Sequence, residues 1–201
     1  METFKLPKRC LKERGYCMSN KFKNITLTGR LCYLFMCIEK YLVTCYPDRD
    51  WTCVAKKCWQ WTNKYWNEGE DIYAHVVPEF LLEFDNYRET NEREFDGELL
   101  KEDYLELVSL YKGITDGSGD AEIDEVLMLP IDFNNECECT DFRYADEPTL
   151  AIMERAQDIL KKHKIELPDI EEIINLKMDY RGGWGELVKS EHLSIVLNTR
   201  K

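Results

Sequence analysis

Three groups of residues carry side chains of types that do chemistry. Asp116, Ser118 and Asp120 alternate like the opening ligands of an EF-hand calcium loop. Such a loop needs Gly at its sixth position and a bidentate Glu at its twelfth. Here those positions hold Ala121 and Leu127, so calcium is rejected. Cys137-x-Cys139 is an isolated pair, and His75, His163 and His192 lie on separate segments. Zinc needs four donors at workable spacing, and no C-x-x-C is present to start such a set. Gly182-Gly183-Trp184-Gly185 follows a helical pattern and has no Lys after it, unlike a phosphate-binding loop. No Ser or Cys stands in a recognised nucleophile signature. The sequence therefore assigns no catalytic residue, no metal and no cofactor. The alternative kept open is a small cytoplasmic enzyme or metal-binding protein using His163 or Cys137/Cys139.

Charge is the stronger signal. The 201 residues carry 27 basic and 39 acidic groups, a net charge of -12. Residues 1–66 hold 13 basic and 5 acidic groups, residues 79–106 hold 3 and 11, and residues 116–147 hold 1 and 11. A balance of this sign repels nucleic acid and anionic membrane and attracts basic partners. The candidate partner-binding residues fall in the span 79–125. They are Glu83, Asp85, Glu89, Glu92, Glu94, Asp96, Glu98, Glu102, Asp103, Asp116 and Asp120, with Tyr87 and Phe95 as aromatic anchors.

The elements that must position these residues read as helices. Leu31, Leu34, Phe35, Ile38, Leu42 and Cys45 define a broad apolar face over 29–45, capped by Thr28 and stopped before Pro47. Asp50 caps a second helix carrying Val54, Cys58, Trp61 and Tyr65, antiparallel to the first across a short link. On it Trp59 and Trp61 point about 200° apart; Trp61 is read as core, Trp59 as core or partner contact. Residues 67–70 read as a break, 71–87 as a helix kinked or split by Pro78, and 88–98 as a charged loop. A helix over 98–112 turns Leu100, Tyr104, Leu107 and Tyr111 inward. Leu127–Phe133 reads as a short buried strand and 134–148 as a long loop. Helices follow over 149–164 and from Pro168 through Met178, and the tail reads as a strand or a frayed end.

The predicted fold class is all-α: a single-domain irregular helical bundle over 1–201. A short strand or hairpin is expected in the C-terminal half, and a loop-rich acidic region over 113–147. The longest apolar stretch, near 31–46, is broken by Glu39 and Lys40 and is too short to span a bilayer. The N-terminal residues have no apolar h-region, and nine cysteines is an odd number. A cytoplasmic protein with nine free thiols is the expectation.

The run from Leu31 to Val76 resembles a known family. It carries Cys37 in one helix, Cys58-Trp59-x-Trp61 near the end of the next, and Tyr73 in a third after a short polar break. In this order it is similar to the small all-helical immunity proteins of bacterial polymorphic toxin and contact-dependent inhibition systems. The resemblance covers about residues 26–76, with looser support from Leu105–Ile114 and the Pro168 helix. It implies a cytoplasmic antidote that binds the C-terminal domain of a cognate toxin, often a nuclease, with no catalytic residues to carry over. The acidic middle and Cys137-x-Cys139 have no counterpart in it. The nuclease surface implied by the resemblance is basic, and the acidic span would complement it. A regulatory scaffold with no toxin partner is a further alternative.

Overall fold

The computed structural model describes residues 21–23, 25–64, 66–139, 146–173, 185, 187 and 189–198. Among them the chain is all-α. Its helices are α1 (Leu27–Cys45), α2 (Thr52–Trp61), α3 (Trp66–Ala74), α4 (Pro78–Leu81), α5 (Tyr87–Arg93), α6 (Lys101–Tyr111), α7 (Glu122–Cys139), α8 (Asp146–Lys162) and α9 (Ile195–Asn198). Single 3-10 turns sit at Ile170–Glu172 and Glu191–Leu193. No strand occurs among the described residues, so neither the strand expected at Leu127–Phe133 nor one in the described part of the tail is present.

α1 is the centre of the molecule. Fifteen of its nineteen residues are buried, on every side, as befits a helix apolar nearly all round. It packs against α2, α7, α8 and α9. Its cap is Thr26, whose Oγ1 accepts from Gly29 N at 3.0 Å, two residues before the expected Thr28. Phe35 meets Trp59, Trp61 and Tyr73 at ring-centroid distances of 5.7, 6.1 and 5.7 Å. Each such side chain contributes about 1.5–3 kcal/mol on burial, so this aromatic group is a main source of stability. Trp59 is therefore core, fully buried beside Trp61.

Two charges are buried within α1. Arg30 donates from Nε to Phe22 O (3.1 Å) and from a terminal nitrogen to Thr149 Oγ1 (2.8 Å). Glu39 accepts from Trp59 Nε1 (2.7 Å), Ser194 Oγ (2.6 Å), Ile195 N (2.7 Å) and Val196 N (3.3 Å). Burial pushes the Glu39 carboxyl above its ordinary value, against the pull of these hydrogen bonds.

Several boundaries differ from the sequence expectation for identifiable reasons. Residues 67–70 belong to α3 rather than to a break, and the missing side chain of Gly69 makes room for the indole of Trp61. A Cβ there would come within 2.0 Å of Trp61 Cδ1. The expected helix over 71–87 is divided: Pro78 starts a short α4, and Asn86 caps a separate α5 within the expected charged loop, accepting from Glu89 N at 3.1 Å. The acidic region 113–147 is not chiefly loop, since α7 occupies 122–139 with Pro130 inside it. Pro130 costs a helix about 3 kcal/mol, but Ile123, Val126, Leu127, Pro130, Phe133 and Cys137 recur at helical spacing and are all buried. Leu100 is not on the inner face. It precedes α6 in extended backbone and is 65% exposed, while Leu99 is buried in its place. The described cysteines Cys32, Cys37, Cys45, Cys53, Cys58 and Cys137 are free thiols. Cys10 and Cys17 lie outside the described residues, as does most of the helix expected beyond Pro168.

Candidate functional site: an acidic hollow beside His75

The acidic span is organised by the turn that follows α5. Asp96 and Gly97 both have positive φ, 49° and 88°. Asn91 holds this reversal: its carbonyl accepts from Gly97 N at 2.7 Å and its Oδ1 from Leu99 N at 2.8 Å. Tyr87 completes the clamp, donating its hydroxyl to Leu99 O (2.9 Å) and accepting from Asn91 Nδ2 (3.2 Å). Phe95 turns inward and meets the His75 ring edge-on at 4.8 Å. With Phe95 anchored, the carboxylates around it converge on a hollow of about 140 Å³ lined by Asp71, Ala74, His75, Glu94, Phe95, Asp96 and Glu98.

Electrostatics make the hollow anionic. No Lys or Arg lines it among the described residues. Asp71 and His75 stand four residues apart at the end of α3, on one face. Behind His75, the buried Lys57 ammonium forms an ion pair with Asp103 Oδ2 at 2.7 Å and lies 3.3 Å from His75 Nδ1. Burial, reinforced by that cation, lowers the His75 pKa to about 4. The imidazole is thus neutral at physiological pH and accepts from Lys57 at Nδ1. The Glu94 carboxyl is raised from its ordinary value by partial burial and by the neighbouring Glu83. The Glu94 carboxyl, pushed toward protonation, is favoured in its charged form by an incoming cation.

The thirteen residues singled out by sequence separate into distinct groups. Glu94, Phe95, Asp96 and Glu98 line the hollow, and Glu83 lies beside Glu94. Asp103 faces inward to Lys57. Glu92 accepts from Arg88 Nε at 2.9 Å, an exposed pair one helical turn apart. Glu89 and Glu102 occupy the first turns of α5 and α6, where the helix dipole favours them. Asp85 is exposed. Asp116 and Asp120 sit on the loop between α6 and α7. Asp116 accepts from Ser118 N at 3.1 Å, and its hydrogen bonds to Ser118 hold its carboxyl below the ordinary value. They do not line the hollow.

Tyr87 and Phe95 act as internal supports. Tyr87 is half-buried and Phe95 is 7% exposed. The exposed apolar groups of the acidic span are instead Leu100 and Leu105, the latter 56% exposed and flanked by the exposed Glu102 and Glu106. Sequence reasoning missed Asp71, His75 and Lys57. The i, i+4 spacing of Asp71 and His75 was a usable signal, whereas Lys57 and Asp103 are joined only by tertiary structure.

The residues of the alternative reading lie in different surroundings. Cys137 is buried on α7, the side chain of Cys139 lies outside the described residues, and His163 ends α8 beside Cys45 and Glu122. No helix among the described residues is long and apolar enough to cross a membrane. Comparison with family models, curated proteins and solved structures gives no match to this chain.

Proposed function

We propose that this protein is an immunity protein: a cytoplasmic antidote that neutralises a cognate toxin domain by covering it. The observation that carries the reading is the anionic hollow, lined by four acidic residues and a neutral imidazole, with no Lys or Arg lining it among the described residues. A liquid water occupies about 30 Å³. A hollow of about 140 Å³ therefore takes the head of one Lys or Arg side chain and the waters around it. A nuclease presents such side chains on the surface that holds its phosphate substrate. Leu100 and Leu105 offer the apolar contact that excludes water around a charged centre. Rigid placement by the Asn91–Tyr87 clamp keeps the carboxylates preorganised, which lowers the entropic cost of association.

Co-expression tests the reading. The reading expects a toxin domain encoded beside this gene, and that domain is produced in a host cell with the native chain or with an Asp71→Lys/Glu98→Lys variant. The native chain restores growth and the double reversal does not. Growth that fails to recover with the native chain, or recovers equally with both, overturns it.

A further inference from the structure

A second cluster of titratable side chains stands where three helix ends meet. α1 ends at Cys45, α7 begins at Glu122, and His163 follows the last residue of α8. α8 stops in a reversed pair of hydrogen bonds, Ile165 N to Leu160 O (2.8 Å) and Lys164 N to Lys161 O (3.0 Å), with Lys164 at φ 59°. This Schellman stop fixes the position of His163. The edge-on packing of its ring against the buried Tyr41, at 5.5 Å between centroids, fixes its orientation.

The imidazole bridges an acid and a thiol. His163 Nε2 contacts Glu122 Oε1, and Nδ1 lies 3.7 Å from Cys45 Sγ. Lys162 Nζ takes the other oxygen of Glu122. Partial burial pushes the Glu122 carboxyl up, but the bonds from Lys162 and His163 outweigh it and hold it below the ordinary value. Glu122 is then an acceptor only, so His163 Nε2 donates to it. In the neutral ring the lone pair is left on Nδ1, facing the thiol. Cys45 itself is half-buried at the C-terminus of α1, where the helix dipole disfavours a thiolate. Burial and the charge of Glu122 push its pKa up as well. Unaided, such a thiol keeps its proton and reacts slowly. A base aimed at that proton removes the obstacle.

We propose that Cys45, His163 and Glu122 form a base-assisted thiol site that exchanges with small anionic disulfides. The Cys45 sulfur attacks one sulfur of a disulfide RSSR, forming Cys45–S–S–R and breaking the RS–SR bond. The thiol proton passes to His163 Nδ1. The leaving RS⁻ carries the electron pair away and recovers that proton as RSH. Lys164, exposed beside His163, supplies positive charge that carboxylate-bearing disulfides meet, while Lys161 and Lys162 are paired with Asp158 and Glu122. The site shares no residue with the acidic hollow, so its test is independent of the immunity reading.

The test treats the full chain with glutathione disulfide at neutral pH and follows the mixed disulfide at each cysteine by mass spectrometry. Cys45 is modified first in the native protein. In His163→Gln and in Glu122→Gln its rate falls by about tenfold or more, while circular dichroism stays unchanged. Glu122→Gln keeps the size of the side chain but has one acceptor oxygen and no charge, so it cannot serve both Lys162 and His163, and it decides the matter if His163→Gln does not fold. Modification of Cys45 no faster than that of the other cysteines overturns the proposal, as does an unchanged rate in the folded variants. Equal rates with the neutral 2-hydroxyethyl disulfide overturn the anionic substrate class.

Discussion

Trp59 Nε1 donates to Glu39 Oε1 at 2.7 Å, with both residues out of contact with solvent. The bond ties α1 to α2 through the core. The same carboxyl then receives Ser194 Oγ and the first two amides of α9. One buried carboxyl therefore couples the packing of the first two helices to the docking of the last.

The first prediction concerns this carboxyl. Glu39→Ala leaves four donors without their acceptor, at about 1–3 kcal/mol for each that stays buried. A total loss of about 3–5 kcal/mol is expected, because α9 can open and let water reach some of them. Ser194→Ala removes one donor to Glu39 and the Oγ that accepts from Leu197 N at 2.9 Å, and costs about 1–2 kcal/mol. Denaturant midpoints check the magnitudes. Hydrogen exchange checks the mechanism: amides 195–197 lose protection in Glu39→Ala while those of α6 keep theirs.

Gly69→Ala tests the contact between α3 and Trp61. In an exposed helix this change stabilises by about 1 kcal/mol. Here the new methyl would lie 2.0 Å from Trp61 Cδ1, and the buried indole has no room to withdraw. Overpacking of this kind costs about 1–3 kcal/mol, so the variant is destabilised and its tryptophan fluorescence shifts. A stabilised variant would show that α3 and Trp61 do not pack this closely.

These two sites show what the sequence could and could not convey. The apolar period of α1, α2, α6 and α8 was legible because their inner faces are Leu, Ile, Phe and Trp at regular spacing. Gly69 reads as part of a break and Pro130 as part of a short strand, because their local propensities oppose helix, yet both sit within one. Tertiary packing overrode propensity: a ring against Gly69, and burial on both sides of Pro130. The acidic character of 83–98 was legible from composition. Its geometry was not, since Asp71 comes from α3 and His75 from the turn just after it, and Phe95 packs inward against His75. The Cys45–His163 contact joins residues 118 positions apart and leaves no local trace in the sequence.

His75 gives the protein an acid-side weakness. Its folded pKa is lowered to about 4, against about 6.5 in an unfolded chain. Above pH 6.5 both states are neutral at this position and it adds no slope. As pH falls through 6.5 the unfolded chain takes up a proton that the folded protein refuses, and stability declines until His75 charges near pH 4. The loss is at most about 3 kcal/mol. Urea midpoints between pH 7 and pH 4.5 should fall more for the native protein than for His75→Gln, which cannot titrate. Parallel declines would contradict a buried neutral His75.

The proposed immunity function expects a toxin domain encoded beside the gene, and the affinity of the full chain for that domain, measured at low and at physiological salt, tests the central claim most directly. The native chain is compared with Asp71→Lys/Glu98→Lys and with the control Glu154→Lys, which lies on α8 away from the hollow. The account predicts that the double reversal weakens binding by about tenfold or more, at least about 1.4 kcal/mol. It also predicts a flatter salt dependence for the double reversal, with the control close to native. Unchanged affinity and unchanged salt dependence in the double reversal would contradict it.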